Sequence, residues 1–404
     1  MKILHFADLH LGMENYGRHD AATGLHSRLI DFLGSFDELV DFAIAEKVDL
    51  VLFAGDAYRT RDPSPTQQRE FAARIRRIRA AGIPLFILVG NHDLPNAAGR
   101  ANSVEIFETL AVEGVTIATS FGTYKVETPA GPLQIVALPW LLRSALLTRD
   151  EYKNLSLLDL NNLMLDKVAR ILEVLIAELD PAAPAVLAAH GTVQGAVYGS
   201  ERSVMMGADL VLPPSLVAHP AFVYAALGHL HKHQVLNANP PVVYAGSLDR
   251  IDFGEERDAK GFVLVELDAR GARWRFVPVH ARPFVSIHAD AVSDEPTMDV
   301  LAAIQSHAID NAIVRLIIHT TPERAGLLRD AEIRQALKPA WFVAGITRVV
   351  QETNRVRLGA QGGVEGLRPR EALERYFVEK RIAAERARQL LERADTIFLD
   401  GAEK

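Results

Sequence analysis

Five short polar signatures fall within the first 231 residues, each where an apolar run ends: Asp8-Leu9-His10, Gly55-Asp56, Gly90-Asn91-His92-Asp93, Ala189-His190-Gly191 and Gly228-His229-Leu230-His231. Runs such as Val48 to Ala54, Pro84 to Val89, Leu133 to Leu138, Ala185 to Ala189 and Phe222 to Leu227 read as strands buried on both faces. Amphipathic helices alternate with them, and Val168, Leu172, Leu175, Ile176 and Leu179 form the stripe of one such helix packed on a core. A chain of this pattern folds as α/β layers. Open α/β sheets place their sites beyond the C-terminal ends of strands, where all five signatures lie.

With 14 His among 404 residues, a single His-x-His pair carries little weight. The ensemble decides, because it gathers only hard or borderline metal ligands. Side chains at i and i+2 of an extended segment face the same side, so Asp8 with His10, and His229 with His231, are expected as two claws on one pocket. A carboxylate can span two cations about 3.5 to 4 Å apart, the spacing of in-line phosphoryl displacement, and Asp56 is the natural bridge. Asn91 offers an amide oxygen and His190 an imidazole, completing a second site without excess charge beside an anionic substrate. The chain has no Cys, which excludes thiolate-held zinc; mixed O/N ligation points to two Mn²⁺, with Fe or Zn as alternatives. His5 is expected as a satisfied core residue and His233 as a surface residue, while Asp93 either caps the following helix or holds an imidazole.

In order and local context these residues resemble the calcineurin-like metallophosphoesterases, and within them the SbcD family of DNA repair nucleases. The narrower resemblance rests on Ile3-Leu4-His5-Phe6-Ala7-Asp8-Leu9-His10-Leu11-Gly12, on Asp62-Pro63-Ser64-Pro65, and on Tyr244-Ala245-Gly246-Ser247 followed by Arg250 and Phe253-Gly254-Glu255. It covers nearly the whole chain. It implies a β-sandwich flanked by helices, one metal held by Asp8, His10, Asp56 and His231, a second by Asp56, Asn91, His190 and His229, and His92 as the catalytic histidine that is not a ligand. It further implies Mn-dependent double-strand exonuclease and single-strand or hairpin endonuclease activity, acting with an SbcC-type ATPase, and a homodimer within a heterotetramer. One position departs: many relatives carry His or Asp three residues after the bridging aspartate, where this chain has Arg59, read here as a substrate-phosphate contact. Protein phosphatases of the superfamily place an arginine near this point within Gly-Asp-x-Val-Asp-Arg-Gly, but here the string runs Gly55-Asp56-Ala57-Tyr58-Arg59-Thr60-Arg61. The competing readings are a phosphomonoesterase or cyclic-nucleotide phosphodiesterase on the same scaffold, and a non-catalytic scaffold.

A net charge of -7 argues against holding DNA by bulk electrostatics, so metal cations or a partner must supply positive surface. The densest basic run, Arg74, Arg76, Arg77 and Arg79, shares its helix with Phe71, Ile75 and Ile78 and reads as a solvated face. No signal peptide and no apolar span of membrane length is evident, which gives the expectation of a cytoplasmic, nucleoid-associated protein without a membrane anchor.

The nuclease domain is expected over residues 1–280 and a small α+β capping domain, implied by the resemblance to help select DNA, over 281–352. The capping unit is read as an extended Phe284 to Ala289, a helix near Met298 to Ala308, a strand Ala312 to His319, a helix near Glu323 to Leu337 and a strand Trp341 to Val350. Residues 353–366 form a Gly-rich linker, and 367–404 a helical tail with apolar stripes at Leu373, Tyr376 and Phe377 and at Ala387, Leu390, Leu391 and Ala394. Two such helices either fold back on the domain or dock on a partner. The resemblance makes that partner the SbcC-type ATPase.

Overall fold

The computed structural model describes residues 1–95, 100–142, 146–147, 155–199, 209–350, 369–380, 382 and 384–400. Among them, β1 (Lys2–Phe6), β2 (Leu50–Phe53), β3 (Leu85–Leu88) and β4 (Val115–Ala118) run parallel, with helices α1 (Ser27–Ala45), α2 (Pro65–Ala80) and α3 (Ile106–Thr109) in the connections. The hairpin β5 (Gly122–Thr128) and β6 (Gly131–Leu138) opens a second sheet, continued through α4 (Leu157–Ala177) to β7 (Ala185–His190). After the two-residue strands β8 (Thr192–Val193) and β9 (Val211–Leu212) and the short helix α5 (Pro214–Val217), that sheet adds β10 (Tyr224–Gly228), β11 (Gln234–Ala238) and β12 (Pro241–Tyr244). The hairpin β13 (Gly261–Asp268) and β14 (Gly271–Pro278) then returns to the first sheet, β13 pairing antiparallel with β1. The result is two six-stranded sheets, ordered β14-β13-β1-β2-β3-β4 and β11-β12-β10-β7-β6-β5.

Why the strands lack polar alternation is plain from which core each residue joins. Ile3 and Ala7 pack between the sheets with Leu52, Phe86, Val186 and Ala226, whereas Leu4 and Phe6 face outward onto Phe32, Phe36 and Phe71 of α1 and α2. On the other side, Val136, Leu187 and Leu227 meet Leu160, Met164, Val168 and Leu172 of α4. Helices thus cover both outer faces, so every central strand is apolar on both sides. Polar residues are left mainly to the strand ends, with His5 of β1 and Gln134 of β6 as buried exceptions. The basic face of α2 is partly spent on α1: Arg74 and Arg77 both pair with Asp37, at 2.6 Å each.

The chain forms two compact units, one of Met1–Ile287, Ile304–Leu316 and Arg334–Ile346, the other of His288–Ala303, Ile317–Ile333 and Thr347–Lys404. Past residue 280, β15 (Phe284–Ala291), β16 (Ile313–Thr320) and β17 (Phe342–Val350) form a three-stranded sheet in that order, with α6 (Pro296–Gln305) between the first two in sequence. The single helix expected over Glu323 to Leu337 is two, α7 (Pro322–Ala325) and α8 (Asp330–Ala336). Gly326 ends the first, and the Arg329 N–H turns away from the helical ladder to the Thr297 hydroxyl at 3.0 Å. The Gly-rich linker, residues 353–366, lies outside the described residues. The tail forms α9 (Pro369–Glu379) and α10 (Ala384–Asp400), with Phe377 only 8% exposed and Arg370 reaching across to Asp395.

Candidate metal centre

All five signatures meet at one edge of the two sheets. Asp8 and His10 follow β1, Asp56 follows β2, Asn91 to Asp93 follow β3, His190 ends β7, and His229 and His231 follow β10. The claws are not built by strand alternation, however. Asp8, His10, Asp56 and His229 have φ of 53°, 47°, 64° and 102°, the left-handed region that side chains rarely occupy. Such backbone strain persists only where the surroundings impose it. Here main-chain hydrogen bonds do so: Asp8 N to Gly55 O, His10 N to Asp56 O and Leu11 N to Ala57 O stitch the two loops together at 3.0 to 3.1 Å. Close approach also explains two glycines, since a methyl group at Gly55 would strike the His190 ring and one at Gly90 the Asp56 carboxylate.

Asp8, His10, Asp56, His190 and His229 are each at most 2% exposed and His231 is 9%. Ligand atoms of Asp8, His10 and His231 lie within 4.8 Å of one another, as do those of Asp8, Asp56 and His190. One Asp56 oxygen stands 3.7 Å from His10 Nε2 and 3.4 Å from His190 Nε2, between the two groups. Asn91 Oδ1 is 3.0 Å from His190 Nε2 and 3.1 Å from His229 Nδ1, and His10 Nε2 is 3.0 Å from His231 Nε2. Two nitrogens each roughly 2.1 Å from one cation, at a right angle, are about 3.0 Å apart. The donor set fits a pair of divalent cations.

Electrostatics point the same way. Burial holds the His10 pKa well below the ordinary imidazole value, leaving a neutral ring with a lone pair to give. Burial opposes the charge of Asp56, but His190 and His10 outweigh it and hold the carboxyl below the usual range. At His190 burial likewise disfavours charge, yet Asp56 and Asp8 push its pKa up to about 9. Burial raises Asp8. A cation would relieve that penalty.

His92 lies at the rim. Its main-chain N–H donates to Asp56 Oδ1 at 2.8 Å, its Nδ1–H donates to the Arg59 carbonyl at 2.7 Å, and its ring meets that of His10 edge-on at 4.9 Å. The Arg59 side chain is exposed. Asp93 does neither of the things expected of it. Fully buried, it accepts the N–H groups of Asp56, Ala57 and Gly90 at 2.9 to 3.0 Å and the Ser103 hydroxyl at 3.1 Å, tying together the loops that carry Asp56 and Asn91. Burial, then the charge of Asp56, pushes its pKa up to about 6.

His233, expected at the surface, is half-buried: it stacks on Phe276 at 4.3 Å and donates to the Tyr244 carbonyl at 2.8 Å. His5 is buried and half-satisfied, with Nδ1 3.0 Å from the Tyr224 hydroxyl and Nε2 without a hydrogen-bond partner. Three contributors escaped the sequence reading. Asp209 stands 3.2 Å from His229 Nε2, Glu255 2.8 Å from His231 Nδ1, and the Trp140 ring lies 4.8 Å from that of His229. Nothing in sequence marks Asp209 or Trp140; Glu255 lies in Phe253-Gly254-Glu255, which the sequence singles out without showing a role for the carboxylate.

Residues 1–233 match the family described as calcineurin-like phosphoesterase. The SbcD subunit of nuclease SbcCD from Rhodobacter capsulatus is 30% identical over 326 residues, covering 76% of each chain. The Bacillus subtilis protein of the same name is 30% identical over 274 residues, 66% of each. The DNA double-strand break repair protein Mre11 of Haloferax volcanii is 27% identical over 316 residues, spanning 78% of this chain and 60% of that protein.

Proposed function

The chain belongs to the calcineurin-like phosphoesterase family, in the branch of the SbcD and Mre11 nucleases, and from that premise we propose that it is a two-metal DNA nuclease of break repair that uses Mn²⁺. The observation that carries this reading is the placement of Asp56 between two groups of nitrogen and oxygen donors. Asp8, His10, Asp56 and His231 would hold one cation, and Asp56, Asn91, His190 and His229 the other. When bound, such cations polarise the phosphodiester and make water a nucleophile at neutral pH. The chain's own residues do the rest. His92, with Nδ1–H committed to the Arg59 carbonyl, has Nε2 left to face the substrate, and as the imidazolium it would give its Nε2 proton to the leaving oxygen as that P–O bond breaks. Exonuclease action on duplex ends and endonuclease action on single strands or hairpins follow as the activities to seek.

The test sets end-labelled duplex, single-stranded DNA and p-nitrophenyl phosphate side by side, each with Mn²⁺, Mg²⁺ or chelator. Cleavage of DNA that needs Mn²⁺ and far exceeds turnover of the small ester is the expected result. Rapid turnover of the small ester with DNA untouched would transfer the assignment to a phosphomonoesterase.

Arg59 is exposed and its carbonyl meets His92 at the rim of the centre, and we read its guanidinium as a contact for a substrate phosphate. Arg59→Ala should weaken cleavage and flatten its dependence on log salt by about one unit, the loss of one phosphate contact. An unchanged slope would return Arg59 to the status of a loop residue.

Residues 281–352 are proposed as a DNA-capping domain and 367–404 as the docking element for an SbcC-type ATPase, in a heterotetramer around a dimer of this chain. What supports the second assignment is the apolar surface left after α9 and α10 pair. Phe377 is mostly buried, whereas Val378 is 80% and Tyr376 43% exposed. Val378 lines a groove of about 510 Å³ together with Phe377, Ile382, Ala387 and Leu391. Removing Leu367 to Lys404 should therefore abolish ATPase association in a pull-down while Mn²⁺ binding stays intact, and Val378→Glu should weaken it roughly tenfold or more. Full association by the truncated chain would remove the tail from the interface.

A further inference from the structure

The two histidines of the His229-Leu230-His231 claw face the centre through different ring nitrogens, Nδ1 of His229 toward Asn91 and Nε2 of His231 toward His10. An imidazole presents one nitrogen as a ligand only if the proton sits on the other, and that choice belongs to whatever accepts the proton. At His231 the acceptor is Glu255, whose Oε1 lies 2.8 Å from Nδ1. Glu255 is itself held on every side. Its Oε2 accepts the Ile251 N–H at 3.0 Å and forms an ion pair with Lys260 at 2.7 Å, both side chains 0% exposed. Asp252 caps the short turn Phe253–Glu255 by accepting the Gly254 N–H at 2.7 Å, which fixes where that carboxylate leaves the backbone. Lys260 also donates to the His231 carbonyl at 3.1 Å and to the Ser247 hydroxyl at 2.7 Å, so the histidine is anchored by ring and by main chain at once.

We propose that Glu255, with Lys260, is a positioning pair that fixes His231 as the Nδ1–H tautomer and so delivers Nε2 to the first cation. The inference rests on the two-metal reading of the site. A buried carboxylate facing an imidazole N–H makes the opposite nitrogen a stronger donor. A lone buried carboxylate would also add a full negative charge next to the centre. Lys260 neutralises it, which lets the orienting contact be kept without altering the charge presented to a phosphodiester.

The direct test is ¹⁵N spectroscopy of the full chain with labelled histidines and Zn²⁺ as a diamagnetic probe, the His231 signal assigned by its loss in His231→Gln. Protonated Nδ1 with metal-shifted Nε2 is the expected pattern; ligation through Nδ1 overturns the proposal. Absence of any zinc-shifted histidine would sink the two-metal reading itself, a result distinguishable from the wrong tautomer. A pair of variants then separates orientation from packing, because both remove the buried charges together. Glu255→Gln with Lys260→Met keeps an acceptor for Nδ1–H, whereas Glu255→Leu with Lys260→Met removes it. The second should bind its first Mn²⁺ roughly 10- to 100-fold more weakly than the first, with equal melting temperatures in chelator. Equal Mn²⁺ affinities, or a difference seen only in melting, would make the pair a packing element. The wild-type spectrum decides the question even if a double variant does not fold.

Discussion

Asp56→Asn should strip both cations from the protein at once and lower DNA cleavage by about 10⁴-fold, since each cation contributes several kcal/mol to the transition state and 1.4 kcal/mol is a decade. The substitution is nearly isosteric. It keeps an acceptor for the His92 N–H and leaves the Asp56 main-chain N–H on Asp93, so the loops that carry the site stay tied. What it removes is the charge that stands 3.7 Å from His10 and 3.4 Å from His190. In chelator the variant should melt below the wild-type temperature, because Asp56 is held ionised by His190 and His10 and its loss leaves the His190 charge buried without its main partner. Calorimetric titration with Mn²⁺ reads the first expectation and differential scanning calorimetry the second. The wild type carries a related pH signature. With the His190 pKa pushed up to about 9, a cation at that ring must displace a proton, so affinity should climb about tenfold per pH unit up to that value. Loss of only one cation in Asp56→Asn would show that this carboxylate does not bridge.

The sequence was most legible where chemistry and topology coincide. Apolar runs with no alternation announced strands covered on both faces, and every ligand-type cluster at the end of such a run did come to one edge of the sheets. How the claws form was less legible. Left-handed turns at Asp8, His10 and His229, and not strand alternation, aim these side chains, and such turns at residues other than glycine are hard to read from sequence. Contacts between distant segments stayed hidden for a different reason. Asp93 is 37 residues from the Asp56 N–H it accepts and Glu255 is 24 residues from His231, and no period or motif links such pairs. The half-burial of His233 is hidden on the same ground: only the fold reveals that Phe276 of β14 provides a face for its ring. The split of the expected Glu323 to Leu337 helix was foreshadowed by Gly326, a residue that the apolar pattern alone passes over.

His92→Gln should keep both cations and bind DNA within a few-fold of the wild type, yet cleave it roughly 10² to 10⁴ times more slowly. The expectation follows from which atoms of residue 92 touch the centre. Its link to the bridging carboxylate is the main-chain N–H, 2.8 Å from Asp56 Oδ1, and any side chain leaves that in place. The ring spends Nδ1–H on the Arg59 carbonyl, which leaves Nε2 to face the substrate. A rival role is close at hand, because a ring nitrogen of His92 lies within 4.8 Å of the ligand atoms of His10 and Asp56. Single-turnover cleavage and Mn²⁺ titration on the same preparation separate the two. A slow variant with wild-type Mn²⁺ affinity places His92 in proton transfer or substrate positioning, and rescue by exogenous imidazole would narrow that to the proton. A variant that loses a cation would make His92 a ligand, and the proton would then have to be handled by another group at the rim.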